Sequence, residues 1–289
     1  MDSIFDKITQ AINDFLMSMI EGSLTTMFND VNQKVGTIAT EVGKTPQQWN
    51  ASVFNIIKAL SENVILPIAG LIITFILCYE LITLITEKNN MHDIDTFMFF
   101  KYLFKACTAV LIATHTFDII MGVFDLAQYV VGQSSGVIGG NTNIDISSAI
   151  SGIRTTLETM GTGELVLLML ETALISLCMK ILSVCITVVI FGRMIEIYIY
   201  SSVGAIPFAT MTNREWGQMG NNYLRALIAL GFQGFFIMVC VGIYAALVNT
   251  LTITSDIQGT LLSIAAYTVV LCFTLFKTGS ISKSIFNAH

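Results

Sequence analysis

The sequence predicts an all-α integral membrane protein: about five transmembrane helices, a re-entrant or interfacial segment and an N-terminal amphipathic helix. Three observations carry that expectation. Hydrophobic residues make up 54% of the 289 positions and charged residues 12%, about half the ~25% charge of a soluble domain. Mean hydropathy is +0.74. Apolar tracts run over 64–86, 101–131, 164–193, 223–253 and 260–277, and a hydrocarbon core takes ~20 residues of helix to cross. Backbone groups in lipid must bond within their own segment, so each tract is expected to be helical.

Residues 1–63 are read as an extracytoplasmic helical region. Phe5, Ile8, Ile12, Phe15, Leu16 and Met19 recur at helical spacing, with Asp2, Asp6, Asn13 and Asp14 between them, which is the pattern of an amphipathic helix. Interfacial helices usually carry lysines on the polar face, so this acidic one is assigned to packing on a subunit or partner. Gly36, Gly43 and Pro46 punctuate a polar stretch, and a second amphipathic run from Trp49 to Leu60 leads into the first span. The opening residues lack the basic region and short apolar core of a secretory signal, and no cleavage is expected.

The polytopic region is expected over 64–283, with a short tail at 284–289. The connection 132–163 is rich in Gly, Ser, Thr and Asn and reads as a mobile loop with a short helix from Ser147 to Met160. Lys88, Lys101 and Lys105 follow the first span, whereas the next connection holds Arg154 alone; Arg193, Arg214 and Arg225 flank the third, and Lys277 and Lys283 lie in the tail. By the positive-inside rule the N-terminus is outside and the C-terminus cytoplasmic. A sixth crossing within 194–212 would invert these charges. With Glu196, Gly204 and Pro207 interrupting it, that tract is read as a re-entrant hairpin or an interfacial helix on the cytoplasmic side. Non-helical backbone at membrane depth must be buried in protein or line a cavity.

The ionisable groups inside the spans are the candidate functional residues: Glu80, Lys105, His115, Asp118, Asp125, Glu171 and Lys180. Each costs at least ~2.5 kcal/mol in lipid, so each is expected to face protein, water or an opposite charge. On a single helix from Lys101 to Val131, the residues Lys101, Lys105, Thr108, His115, Asp118, Asp125 and Tyr129 share an arc of about 160°. Ala106, Ala109 and Ala113 lie on the other side, where small residues permit close packing. Glu171 and Lys180 lie about half a turn apart and cannot pair with each other; Lys180 shares a face with Ser176, Ser183 and Thr187. His115 and Asp118, one turn apart, are compatible with a proton relay, which leaves a solute or proton-coupled transporter, or a small ion channel, as the alternative function.

The composition also excludes functions. Cys78, Cys107, Cys178, Cys185, Cys240 and Cys272 all lie in apolar tracts, without CxxC pairs. They read as buried free thiols, and neither a disulfide framework nor a metal site is expected. HExxH, GxSxG and GxxxxGK[ST] are absent, and no catalytic residue is assigned. No cofactor is called for, while a bound phospholipid is compatible with the chain. The net charge of −6, with no basic cluster, argues against stable nucleic-acid binding.

Five spans, an amphipathic N-terminus, a Gly/Ser/Asn-rich outer loop, and the run Gly204-Ala205-Ile206-Pro207-Phe208 followed by Asn213-Arg214-Glu215-Trp216-Gly217 and 221–234 form a characteristic order. From about Val53 to Phe286 it resembles the TrbL-like polytopic membrane subunit of conjugative type IV secretion systems, in the form carried by Gram-positive mobile elements. The resemblance implies a non-enzymatic channel subunit in a bacterial cytoplasmic membrane, assembled as a homo-oligomeric ring, expected to be a pentamer. Its implied partners are secretion ATPases, other channel subunits and membrane lipid, with nucleic acid present only as transported substrate. On that reading Arg193, Glu196, Gly204, Pro207, Arg214, Glu215, Trp216 and Arg225 form a cytoplasmic-side segment facing partners. The outer loop and the tail are shorter than in larger relatives.

Overall fold

The computed structural model describes residues 2–87, 96–138, 146–211, 213, 215–250 and 257–288. Among these, every regular element is helical. In chain order they are α1 (Asp2–Val42), α2 (Pro46–Trp49), α3 (Ala51–Leu60), α4 (Leu66–Glu87), α5 (Thr96–Thr114), α6 (Thr116–Ile138), α7 (Ile146–Leu157), α8 (Thr162–Val203), α9 (Ala205–Thr210), α10 (Gly217–Asn249) and α11 (Ile257–Ile285). Five stretches are long and apolar enough to cross a membrane: Ala51–Thr86, Phe97–Thr114, Thr162–Val203, Gly217–Asn249 and Ile257–Ile285. The chain is therefore an all-α, multi-pass membrane protein.

It forms two compact units. The first comprises Met1–Val42, Gly132–Ile190 and Phe236–Lys277. Here α1 buries Leu16, Ile20, Leu24, Met27, Val31, Val35, Ile38 and Val42, a stripe at spacings of three and four that a helix places on one side. Helix α7 packs on α1, with Ile153 and Leu157 buried and Arg154 Nε 3.7 Å from Glu21 Oε1. The Tyr244 and Thr268 hydroxyls, 3.0 Å apart, tie α10 to α11. The first turns of α1 keep Ile4, Phe5, Ile8, Ile12 and Phe15 exposed.

Lys34 is buried on α1, and desolvation lowers its pKa despite the opposing pull of Asp30. A lysine whose folded pKa is depressed binds protons less readily than in the unfolded chain, so its penalty is full below the folded pKa and fades as pH rises toward 10.5. Replacing Lys34 with Met is expected to raise the midpoint of thermal unfolding in detergent at pH 7 by roughly 2 °C, the effect of about 1 kcal/mol in a large domain. The gain should shrink in scans at progressively alkaline pH; an equal gain at every pH would contradict the desolvation argument.

The second unit comprises Gly43–Val131, Phe191–Phe235 and Thr278–His289. The Thr45 side chain accepts from Gln48 N while Gln48 Oε1 accepts from Thr45 N, a capping box with Pro46 at the first helical turn that fixes α2. Asn50 then caps α3 by accepting from Val53 N. A π-helical stretch, Ser61–Ile65, joins α3 to α4, so the amphipathic run and the first span form one continuous helical length.

Two further tracts differ from the sequence expectation. The apolar tract 101–131 is not one spanning helix: it is interrupted at His115, and α6 is not among the helices apolar enough to cross. Backbone bonds of the α-helical kind still cross this point, from His115 N to the Leu111 carbonyl at 3.1 Å and from Ile119 N to the His115 carbonyl at 3.0 Å, while the Thr114 and Thr116 hydroxyls donate back to carbonyls of the preceding turn. The tract 194–212 is likewise divided. Helix α8 continues without a break through Arg193 to Val203, and only α9, after Gly204, is a separate short element. Of the cysteines, Cys272 is buried as expected but Cys78, Cys107 and Cys178 are exposed, on helices whose apolar surface faces outward.

The second unit has two cores. Ile120, Phe124, Met194, Ile197, Tyr198, Phe208, Tyr223, Leu227 and Leu230 form the larger. Ala69, Ile73, Ala109, Ala113, Ala205 and Ala209 form the smaller, in which α9 lies against α4 and α5 through alanines, as small residues at close helix crossings allow.

Candidate functional site

The most polar constellation in the second unit lies where the end of α4 meets the start of α5. Lys105 Nζ stands 2.7 and 2.8 Å from the two carboxylate oxygens of Glu80, with the Glu80 side chain 16% exposed. In the sequence both residues are intramembrane charges that need a partner from elsewhere. The antiparallel α4–α5 register makes them partners, which offsets the desolvation that each would otherwise suffer.

A third group completes the cluster. Asn213 donates Nδ2–H to Glu80 Oε1 at 3.2 Å, and its Oδ1 accepts from the backbone N–H groups of Glu215 and Trp216 at 2.8 and 3.0 Å. Because the oxygen is occupied by two backbone donors, the amide nitrogen must face the carboxylate. The chain between α9 and α10 is thereby fixed to the ion pair. Trp216 reinforces this by stacking on Phe75 at 5.8 Å and on Tyr79 at 6.3 Å between ring centroids, so its expected role in the partner-facing segment starts from an intramolecular contact. Tyr102 donates its hydroxyl to the Leu77 carbonyl at 2.8 Å. Around these groups lies a cavity of about 710 Å³, whose walls include Tyr79, Leu84, Met98, Lys101 and Glu215.

Neither Asn213 nor Tyr102 was singled out from sequence as functional. Asn is a residue whose side chain commonly accepts from the backbone two residues on in a turn, and that signal was available for Asn213. Nothing local marks Tyr102, whose acceptor is 25 residues away.

The remaining candidates fall in three settings. Asp118 and Asp125 are exposed on the same side of α6 as Gly122 and Tyr129, and His115, the residue just before α6, is exposed with its Nδ1 3.7 Å from Asp118 Oδ2 and the two side chains 64% and 71% exposed. Among the described residues, no helix buries them. On α8, Glu171 is half-buried and Lys180 exposed; neither has an ion-pair partner among the described residues.

Arg193 is the buried one. It is 3% exposed, and it donates from Nε to the Leu230 carbonyl at 3.4 Å and from Nη2 to the Gly231 carbonyl at 3.3 Å. Gly234 makes the room, since a Cβ there would come within 2.8 Å of Nη2. Arg193 is thus held inside the fold and not presented to a partner.

Glu196, Glu215 and Arg225 are exposed, and Arg214 lies outside the described residues. Pro207 is the third residue of α9, where its missing N–H removes no helical bond. Gly204 and Gly220 are sites of close approach: a Cβ at Gly204 would overlap the Ile120 side chain and the Tyr223 hydroxyl, and one at Gly220 the Met211 side chain and, at 2.5 Å, the Pro207 carbonyl.

This arrangement holds a half-buried ion pair, an anchored inter-helix segment and an exposed polar helix face. Among the described residues, no group of three or more His, Cys, Asp or Glu side chains is placed to hold a metal. No curated protein and no solved structure matches the chain. The family model described as TrbL/VirB6 plasmid conjugal transfer like protein matches residues 31–205, a stretch that includes α3 to α8 and the Glu80–Lys105 pair. The chain belongs to the TrbL/VirB6 plasmid conjugal transfer-like family and is a membrane component of a conjugal transfer, type IV secretion machine.

Proposed function

We propose that the protein is a non-enzymatic channel subunit that assembles as a homo-oligomeric ring, five-fold on the family resemblance, and helps pass DNA with its attached protein, or protein alone, across the cytoplasmic membrane. The observation that carries this reading is the exposed face of α6. His115, Asp118, Gly122, Asp125, Tyr129, Gly132 and Gln133 recur on it at spacings of three and four. Helix α6 is not among the helices apolar enough to cross the membrane, and charges so exposed on it are suited to water or to a neighbouring subunit and not to lipid. A ring provides both, with α6 turned toward a hydrated path. Secretion ATPases and other channel subunits are the partners, nucleic acid is cargo, and the N-terminus lies outside with the C-terminus in the cytoplasm.

The test is conjugative transfer set against membrane abundance. Combined replacement of Asp118 and Asp125 by Ala is expected to lower transfer by at least ~10-fold, worth about 1.4 kcal/mol in an equilibrium or a barrier, at unchanged abundance. Parallel loss of both quantities would reduce the two carboxylates to a structural role. For topology, a cysteine introduced at Ser134 should react with an impermeant reagent added outside and one at Ser280 should not; labelling at Ser280 rejects this orientation.

The 3.7 Å approach of His115 and Asp118 favours one second reading, a proton-coupled transporter. A relay, however, needs shielding from bulk solvent, and both side chains are open. Proton or solute flux through the purified protein alone in liposomes would support the transporter and count against the secretion subunit.

A further inference from the structure

The cavity between α4 and α5 carries two cations and two anions, and only one of each is matched. Glu80 and Lys105 neutralise one another. Lys101, one turn before Lys105, and Glu215, beside the Asn213 anchor, both line the cavity and are exposed; neither has an ion-pair partner among the described residues. A ligand that engages both would carry one negative and one positive group.

The surroundings narrow its class. The cavity opens where two candidate spans, Ala51–Thr86 and Phe97–Thr114, end together, with Tyr79 and Tyr102 in its wall; such aromatic side chains concentrate at the membrane–water boundary. Next to it α5 exposes Phe97, Phe100, Leu103 and Phe104, the last 76% exposed, an apolar track suited to acyl chains. The volume of about 710 Å³ lies in the ~300–1,000 Å³ range of small-molecule sites.

The geometry points to a site for the headgroup of an aminophospholipid, its phosphate held by Lys101 and its ammonium by Glu215. The Glu80–Lys105 pair and the Tyr102 hydroxyl form the fixed floor, because their hydrogen bonds are already made within the protein. Occupancy would brace α4, α5 and the segment before α10 against each other. The site is independent of whether the subunit forms a ring.

Native mass spectrometry of the full chain, purified in detergent and offered equimolar phosphatidylethanolamine and phosphatidylglycerol, tests it. The expected result is preferential retention of phosphatidylethanolamine by at least ~5-fold, about 1 kcal/mol, with the preference lost in Lys101→Gln and in Glu215→Gln and kept in Lys101→Arg and Glu215→Asp. Both residues are exposed, so the Gln variants should remain folded, and an unchanged thermal midpoint verifies it. Equal retention of the two lipids by the native chain overturns the site, as does an unaltered preference in the Gln variants. Displacement of the lipid by millimolar inorganic phosphate assigns the cavity to a soluble anion and overturns it too.

Discussion

Replacing Gly204 with Leu is expected to remove most of the folded protein from the membrane. Gly204 separates α8 from α9, and both neighbouring helices depend on the closeness it allows. A Cβ alone would overlap the Ile120 side chain and the Tyr223 hydroxyl and come within 3.3 Å of Thr116 Cγ2. Ile120 and Tyr223 belong to the larger core of their unit, so neither can retreat into solvent. Overpacking costs typically ~1–3 kcal/mol, and displacing Tyr223 would also break its hydroxyl's hydrogen bond to the Tyr200 carbonyl, with ~1–3 kcal/mol more for an unsatisfied buried group. The sum, about 2–6 kcal/mol, reaches the lower end of the stability of a domain. Abundance and monodispersity in detergent provide the measurement. The smaller change, Gly204→Ala, should be partly rescued by Ile120→Val; a G204A loss that is the same with and without I120V would show that the clash is not the cause.

Glu80→Ala is expected to have the second largest effect, with a loss at or below the lower end of the about 3–5 kcal/mol that removing one member of a fully buried pair costs, because this pair is part-buried. Lys105 Nζ would lose its two-point contact and remain in an apolar setting, and Asn213 would lose its acceptor. Lys105 is 38% exposed and can reach toward water, as long basic side chains do, which holds the loss to that level. The reciprocal swap, Glu80→Lys with Lys105→Glu, should recover much of the thermal midpoint, though not the Asn213 bond, since an ammonium cannot accept from Nδ2. Absence of any coupling between the two single variants in a double-mutant cycle would show that the pair contributes nothing to stability.

These two positions also show how far the sequence could be read. Gly204 was legible as an interruption, because Ser201, Ser202, Gly204 and Pro207 break an otherwise apolar run, but its steric need was not. Glu80 and Lys105 were legible as charges that lipid disfavours, yet as separate ones, because a 25-residue separation gives no register between two helices. The single helix expected over 101–131 divides at His115 into α5 and α6, a junction that the run of apolar residues does not mark. That division matters for function, since it separates a lipid-compatible span from the more polar α6.

The sequence by itself determined the class of the protein: low charge and long apolar tracts leave the backbone no alternative to helices in a membrane, and the order of its segments pointed to its family. Tertiary structure alone decided which charges meet. Glu80 found Lys105 and Asn213, Arg193 found the carbonyls of α10, and His115, Asp118 and Asp125 were left on an open face. The reason is that the cost of an ionisable group in lipid is a property of the residue, whereas its compensation depends on distances of a few Å between helices far apart in the chain, which periodicity within one helix does not encode.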